Sequence, residues 1–521
     1  MAALHASGRW KTLLACCVAA TAKLLEPPLW VYREPTVQAF NAGWARYSVL
    51  MSTITLGTLA FLLIGGVVGD MFGRRRWLLA GLAGLMIANL LAALSPEPLW
   101  FLSTRVLSSA AGALVVPLSL TMLYLAFRGD FQARTMAIAI YISVTSTAGL
   151  SAGLLGQFMY SLLDWRTTLI VPAVLALLGL VLIAQTTEES RIAAERRFDL
   201  IGHASWSLAA LGTLVGISVS QVAGSYATAI VISSVIAVGL GVSVLVWSDL
   251  RTPDSLLGRT SLPRRALLVL IVYGVCLQIG FVGFISLVRN VLIKVYDYNV
   301  VLAAISLTPL LIGMVLMALF GVRRLMHLRA RAVMSAGLLM FCSVIVLAVA
   351  TRAAGFYPWL ALLLAVFGAA NVAASTAWTS VFFNLVPKEA IGMRTGMNSS
   401  VSQAGGAIGG ALTGSLLVSF GLADYLRRLV TAGVQGTQID AAMAALNTIL
   451  NPSTADTAID PSIRDQLIAG YQLTFLAAYE QVLLIVAAIV FVGCVVVWFG
   501  LPAKERTAPT LLVEELDATG G

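Results

Sequence analysis

Gly66-Val-Val-Gly69-Asp70-Met71-Phe72-Gly73-Arg74-Arg75-Arg76 joins two long apolar runs, 47–69 and 77–95. A short glycine-bearing turn closed by three arginines suits a loop that returns a chain into a bilayer on its basic side. The rest of the sequence has the same character. Its 521 residues are 59% hydrophobic and 11% charged, with a mean hydropathy of +0.92. Soluble domains carry about 25% charged residues, so a soluble globular protein and a disordered one are both excluded. Five cysteines, Cys16, Cys17, Cys276, Cys342 and Cys494, all fall in apolar runs without a C-x-x-C or Cys/His cluster. Neither a disulfide framework nor a zinc site is indicated, and no cofactor is expected.

A spanning helix needs about 20 mostly apolar residues. Fourteen runs qualify, with approximate limits 11–33, 47–69, 77–95, 99–127, 135–160, 168–186, 202–221, 227–248, 265–289, 300–321, 332–351, 357–385, 393–420 and 473–500. With the N-terminus inside, 22 of the 33 basic residues fall on cytoplasmic segments, which predicts an N-in, C-in topology. The net charge of +9 therefore reports topology and anionic lipid, and no nucleic-acid partner is expected. Arg9, Lys11 and the stretch ending at Ala20-Thr21-Ala22 resemble a signal peptide. The apolar run continues to Tyr32, however, and cleavage would break the charge alternation, so an uncleaved helix is expected.

The Gly-Asp-Gly-Arg stretch resembles the G-x-x-x-D-x-x-G-R-[RK] signature of the major facilitator superfamily in span number, side and spacing, with Met71 where that family usually has a basic residue. In span 4, Arg105-Val-Leu-Ser108-Ser109-Ala-Ala111-Gly112…Pro117 resembles the family's R-x-x-Q-G-x-G…P pattern. Phe198-Asp199-Leu-Ile-Gly202, the hydrophilic segment 421–472 and the glycines of span 13 resemble the fourteen-span drug:proton antiporter branch, the EmrB/QacA type. The resemblance covers about residues 10–500. It implies an all-α integral membrane fold of two pseudo-symmetric six-helix bundles with two extra central helices. The expected organisation is an N-terminal bundle over 1–186, a linker with two added helices over 187–264, a C-terminal bundle over 265–502 including the outside loop 421–472, and a cytoplasmic tail over 503–521. An amphipathic helix is expected at 438–450.

Three groups of residues are candidates for function. The first is an inner gate. Asp70 is placed to cap a neighbouring helix N-terminus, and Arg74 to reach an acid, with Asp130 the nearest by topology. Gly66 and Gly73 permit close packing and the turn. In span 5, Gly153 and Gly156 fall where the antiporter pattern G-P-x-x-G-G would lie, but the proline is absent and Gln157 replaces the last glycine. Plain small-residue packing and an antiport role both remain open there. The second half repeats only the basic residues of the loop, Arg323, Arg324, Arg329 and Arg331.

The second group comprises ionisable residues inside the bilayer, which are costly and usually functional. Lys23 and Glu26 share a helix face ahead of Pro27-Pro28, and Arg105 lies in span 4. At 1.5 Å per residue, Glu26 lies roughly 13 Å and Arg105 roughly 9 Å below the outer surface. Glu26 is the candidate proton carrier, Arg105 its modulator and Lys23 a competitor for the same carboxylate; a buried structural ion pair is the other reading. Glu480 in span 14 reads as a solvated or lipid-edge carboxylate.

The third group lies on span 12. Asn371, Ser375, Trp378 and Phe382 recur at helical spacing and form one face, predicted to line a central cavity. An apolar cavity with few polar anchors suits amphipathic organic substrates. The resemblance implies a secondary transporter of the cytoplasmic membrane, with protons, a small molecule and the lipid bilayer as partners. Proton-coupled efflux is one reading, and movement of another solute such as a lipid, fatty acid or metabolite a second. A polytopic enzyme or sensor is the alternative from another class, without a catalytic motif to support it. No phosphate-binding G-x-x-x-x-G-K-[ST] loop is present, so ATP-driven transport is not expected.

Overall fold

The computed structural model describes residues 2–26, 61–62, 65–127, 130–190, 264–296, 298–325, 328–350, 356–384, 391–431 and 461–501, with isolated positions between 202 and 247. The Pro27-Pro28 pair of span 1, the two added central helices, the 438–450 helix and the C-terminal tail lie outside, or almost wholly outside, these residues.

The described chain is helical. In chain order α1 is Ala2–Leu24, a helical stretch covers 65–72, α2 is Arg74–Ala93, α3 is Pro98–Ala126 and α4 is Phe131–Leu162. A 3-10 turn, Trp165–Leu169, leads into α5, Ile170–Thr186. The second half holds α6 (Arg264–Lys294), α7 (Val300–Ile305), α8 (Thr308–Leu316), α9 (Ala330–Ala350), α10 (Phe356–Asn384), α11 (Ile391–Thr431) and α12 (Pro461–Gly500). A π-helical turn, Met317–Gly321, follows α8.

Helix starts follow local chemistry. Asp130 accepts the Ala133 N–H at 3.0 Å, and Asn299 accepts that of Leu302 at 2.7 Å, each satisfying a donor the first helical turn leaves unpaired. Pro98 opens α3, where its missing N–H costs nothing.

Ten described helical segments are long and apolar enough to cross a membrane. Leu177, Val181, Leu484 and Phe491 are exposed on their outer faces, which is stable only in hydrocarbon. Two cores separate the halves. One gathers Leu78, Leu82, Leu118, Phe127 and Ile183 from α2, α3 and α5 with the alanine-rich face of α1. The other gathers Tyr273, Phe284, Phe341, Phe367 and Val486 from α6, α9, α10 and α12. Side chains cross over between them: Phe383 of α10 packs in the first core, and Ala139 and Leu150 of α4 pack with the second.

The hydrophilic segment expected as a loop over 421–472 is helical at both of its described ends. Helix α11 runs on to Thr431, and α12 starts at Pro461. Arg428 pairs with Asp424 one turn earlier at 3.0 Å, the kind of exposed pair that supports a polar helix end.

Candidate functional site

At the end of α1, the Glu26 carboxylate is only 6% exposed and is completely engaged. Lys23 Nζ reaches its Oε2 at 2.6 Å, and Arg105 Nη2 from α3 reaches the same oxygen at 2.9 Å. Asn89 of α2 donates to Oε1 at 2.8 Å, and the Ser108 hydroxyl donates to that oxygen too. The structure thus brings Lys23, Glu26 and Arg105 into one cluster. Asn89 and Ser108 join it, and sequence reasoning did not assign a role to either. Asn89 is fully buried and two-faced: its amide nitrogen holds Glu26, while its oxygen accepts from Arg105 Nη1 at 2.9 Å. A charge this deep survives only with its hydrogen-bonding capacity filled. Gly112 supplies the room, since a Cβ there would run into the Lys23 side chain.

Within one turn of Glu26, Leu24 lines a central cavity of about 370 Å³. Val116 and Leu120 of α3, Tyr141 of α4, Gln278 of α6 and Asn398 of α11 contribute to its walls, so it lies between the two halves. Asn371, Ser375 and Trp378 line it as predicted from their spacing. Phe382 does not. It is buried behind Trp378 in an edge-to-face contact at 6.1 Å, because the cavity ends before the helix face does. Trp378 is itself anchored, its indole N–H donating to the Leu270 carbonyl at 2.9 Å.

Beyond Trp378 the halves close on each other. Thr121 of α3 bonds Thr395 of α11 at 2.8 Å. Tyr124 stacks on Phe383 at 4.7 Å, with the Arg134 guanidinium over the tyrosine ring at 4.6 Å.

The Gly-Asp-Gly-Arg turn lies at this same end of the bundle, and its contacts differ from those expected. Arg74 turns back to Asp70, Nε to Oδ1 at 2.8 Å, with both side chains buried. It also reaches Ser190 at 3.4 Å. Asp130 is not its partner: that carboxylate is exposed and spent on its own helix cap. The N-terminus of α2 is capped not by Asp70 but by Glu189, which follows α5 and accepts the N–H groups of Arg75 and Arg76, each at 3.1 Å. Gly73 sits at φ 111°, a conformation glycine adopts freely, and a Cβ there would lie 2.9 Å from the Glu189 carboxylate. Gly66 is buried beside this turn, and Gly153 and Gly156 are buried in the far part of α4.

The family model described as Major Facilitator Superfamily matches residues 12–410. The chain belongs to the major facilitator superfamily. This is a membrane transport family and not an enzyme family, which disposes of the polytopic enzyme. The chain is similar to the puromycin resistance protein pur8 of Streptomyces alboniger, 31% identical over 296 residues, covering 55% of this chain and 57% of the relative. It is also similar to the methyl viologen resistance protein SmvA of Salmonella typhimurium, 24% identical over 477 residues, covering 88% of this chain and 90% of that one. The chain spans about half the length of the first curated relatives it matches, 57% and 43%. Among solved structures, the human organic anion transporter MFSD10 shares the fold, with a TM-score of 0.57 at 14% identity, over 92% of this chain and 99% of that one.

Proposed function

We propose that this protein is a secondary active exporter of hydrophobic or amphipathic small molecules, driven by protons across the cytoplasmic membrane. The chain crosses the membrane fourteen times with both termini inside, which the fourteen apolar runs and the 22 basic residues on one side support. Relatives named for puromycin, methyl viologen and tetracenomycin C resistance, and for cephamycin export, support efflux.

The observation that carries the proton coupling is the Glu26 cluster beside the central cavity. Its carboxylate is held by Lys23 and Arg105, on α1 and α3 of the first half. Any movement that separates Arg105 from Glu26, or places a substrate beside it, changes how tightly that carboxyl holds a proton. Alternating access supplies the movement. The Thr121–Thr395 and Tyr124–Phe383 contacts across the halves must part for the cavity to open at that end, and the Asp70–Arg74 turn holds the adjoining helix ends.

Glu26→Gln in proteoliposomes is the test. Gradient-driven transport should be lost while substrate counterflow continues, because counterflow needs alternation but no proton transfer. Gradient-driven accumulation at the wild-type level would refute the coupling role.

A further inference from the structure

We infer that the central cavity recognises an uncharged substrate carrying a hydrogen-bond donor, and that Asn398 of the second half accepts that donor. This rests on the cavity being the transport site proposed above, and it names what the cavity selects.

The two halves contribute different surfaces. The first half brings a mainly apolar wall, including Leu24, Val116, Leu120 and Ile142, with the hydroxyls of Tyr141, Thr145 and Ser146 among them; those of Tyr141 and Thr145 are already bonded to Ser119 and to the Tyr141 carbonyl. The second half brings four carboxamides: Gln278, Asn371, Asn398 and Gln403. Among the described lining residues there is no Asp, Glu, Lys, Arg or His. Against this described lining a permanently charged ligand would give up its hydration without a free counter-charge, because the neighbouring Glu26 is already paired with Lys23 and Arg105; that is costly in an interior of low dielectric.

The carboxamides are not equally available. Gln278 and Gln403 are only half-buried, so water can reach their oxygens, and Gln278 also donates through Nε2 to Ser402 Oγ at 2.7 Å; the Asn371 Oδ1 is buried but faces the Ser375 hydroxyl at 3.4 Å. Asn398 is 5% exposed, and its Oδ1 has no hydrogen-bond partner. A buried acceptor left empty carries a desolvation cost that a ligand hydroxyl or N–H would remove. A ring system fills the apolar wall, and its donor reaches Asn398 from the opposite side. Selection then comes from an acceptor rather than a charge, so removing the ligand's donor should cost more than altering its apolar body.

The experiment uses the full-length protein in detergent with tritiated oestradiol, a neutral ring system with donor hydroxyls at its rim. Saturable binding is expected. The dimethyl ether of oestradiol, which lacks both donors, should compete about five- to tenfold less well, the worth of one buried neutral hydrogen bond. Methyl viologen, a dication, should not displace the label. In Asn398→Ala, and independently in Asn398→Ser, the preference for oestradiol over its ether should shrink toward one while the ether's own affinity holds. No saturable oestradiol binding, displacement by methyl viologen at comparable concentrations, or an undiminished preference in both variants would overturn the inference. Proton-driven export failing while these ratios hold would remove the transport reading and leave the recognition intact.

Discussion

Replacing Asn89 with leucine keeps the volume and the helix but removes the bridge between Glu26 and Arg105. Three hydrogen bonds disappear: one donated to Glu26 at 2.8 Å, one accepted from Arg105 at 2.9 Å, and one donated to the Leu85 carbonyl of the same helix at 2.9 Å. The first two involve an ionised partner and are each worth about 1.5–3 kcal/mol; the third is within α2 and does not touch the cluster. The direct Glu26–Arg105 contact at 2.9 Å, the Lys23 contact at 2.6 Å and the Ser108 hydroxyl remain. The net loss should therefore be near the value of a single such bond, about 10- to 150-fold in the equilibrium between the locked cluster and a released one. If the cluster couples proton release to alternation, that factor falls on driven transport. The expected result in proteoliposomes is at least a tenfold drop in gradient-driven flux with counterflow within about twofold of wild type. Asn89→Asp, which keeps the acceptor for Arg105 but sets a second carboxylate beside Glu26, should be impaired as well. A parallel fall of driven flux and counterflow in Asn89→Leu would refute the coupling role, because that pattern belongs to a residue that only packs helices. Wild-type values of both would refute it equally.

Three further outcomes follow from the geometry. Asp70→Asn and Arg74→Ala each break a buried pair; both should reach the membrane folded but slow alternation in a counterflow assay, and wild-type rates in both would remove the turn from the gate. Gly73→Ala must adopt a positive φ and crowd Glu189, so it should lower thermal stability by about 1–3 kcal/mol, with Glu189→Ala in the same background relieving only the crowding share. Trp378→Phe loses the bond to Leu270 but keeps an aromatic wall, so substrate preference measured by competition should change less than in Trp378→Ala, where a cavity-sized loss of about 3–5 kcal/mol should also reduce the folded yield.

Glu26, Lys23 and Arg105 were legible because a charge inside hydrocarbon is expensive enough to mark itself in any apolar run. Asn89 carries no such mark. A neutral amide in a spanning helix reads equally as a helix contact, and only the meeting of α1, α2 and α3 shows that it holds both charges. Glu189 was hidden by distance along the chain, since it caps a helix that starts more than a hundred residues earlier. Periodicity placed Asn371, Ser375 and Trp378 on the cavity but also admitted Phe382, because a repeat of 3.6 residues fixes the face of a helix and not the depth at which a cavity ends. Composition likewise marked 421–472 as a loop, although Asp424 and Arg428 are spaced to continue a helix beyond the apolar stretch. These failures share a cause. Hydropathy reports the transfer cost of each residue separately, whereas a transport site depends on which polar groups the fold makes available to one another. In this protein Glu26 is saturated by four donors, and Asn398 is left with an empty acceptor. The first arrangement suits a group whose partners must be rearranged during each cycle, and the second a group whose partner arrives with the substrate.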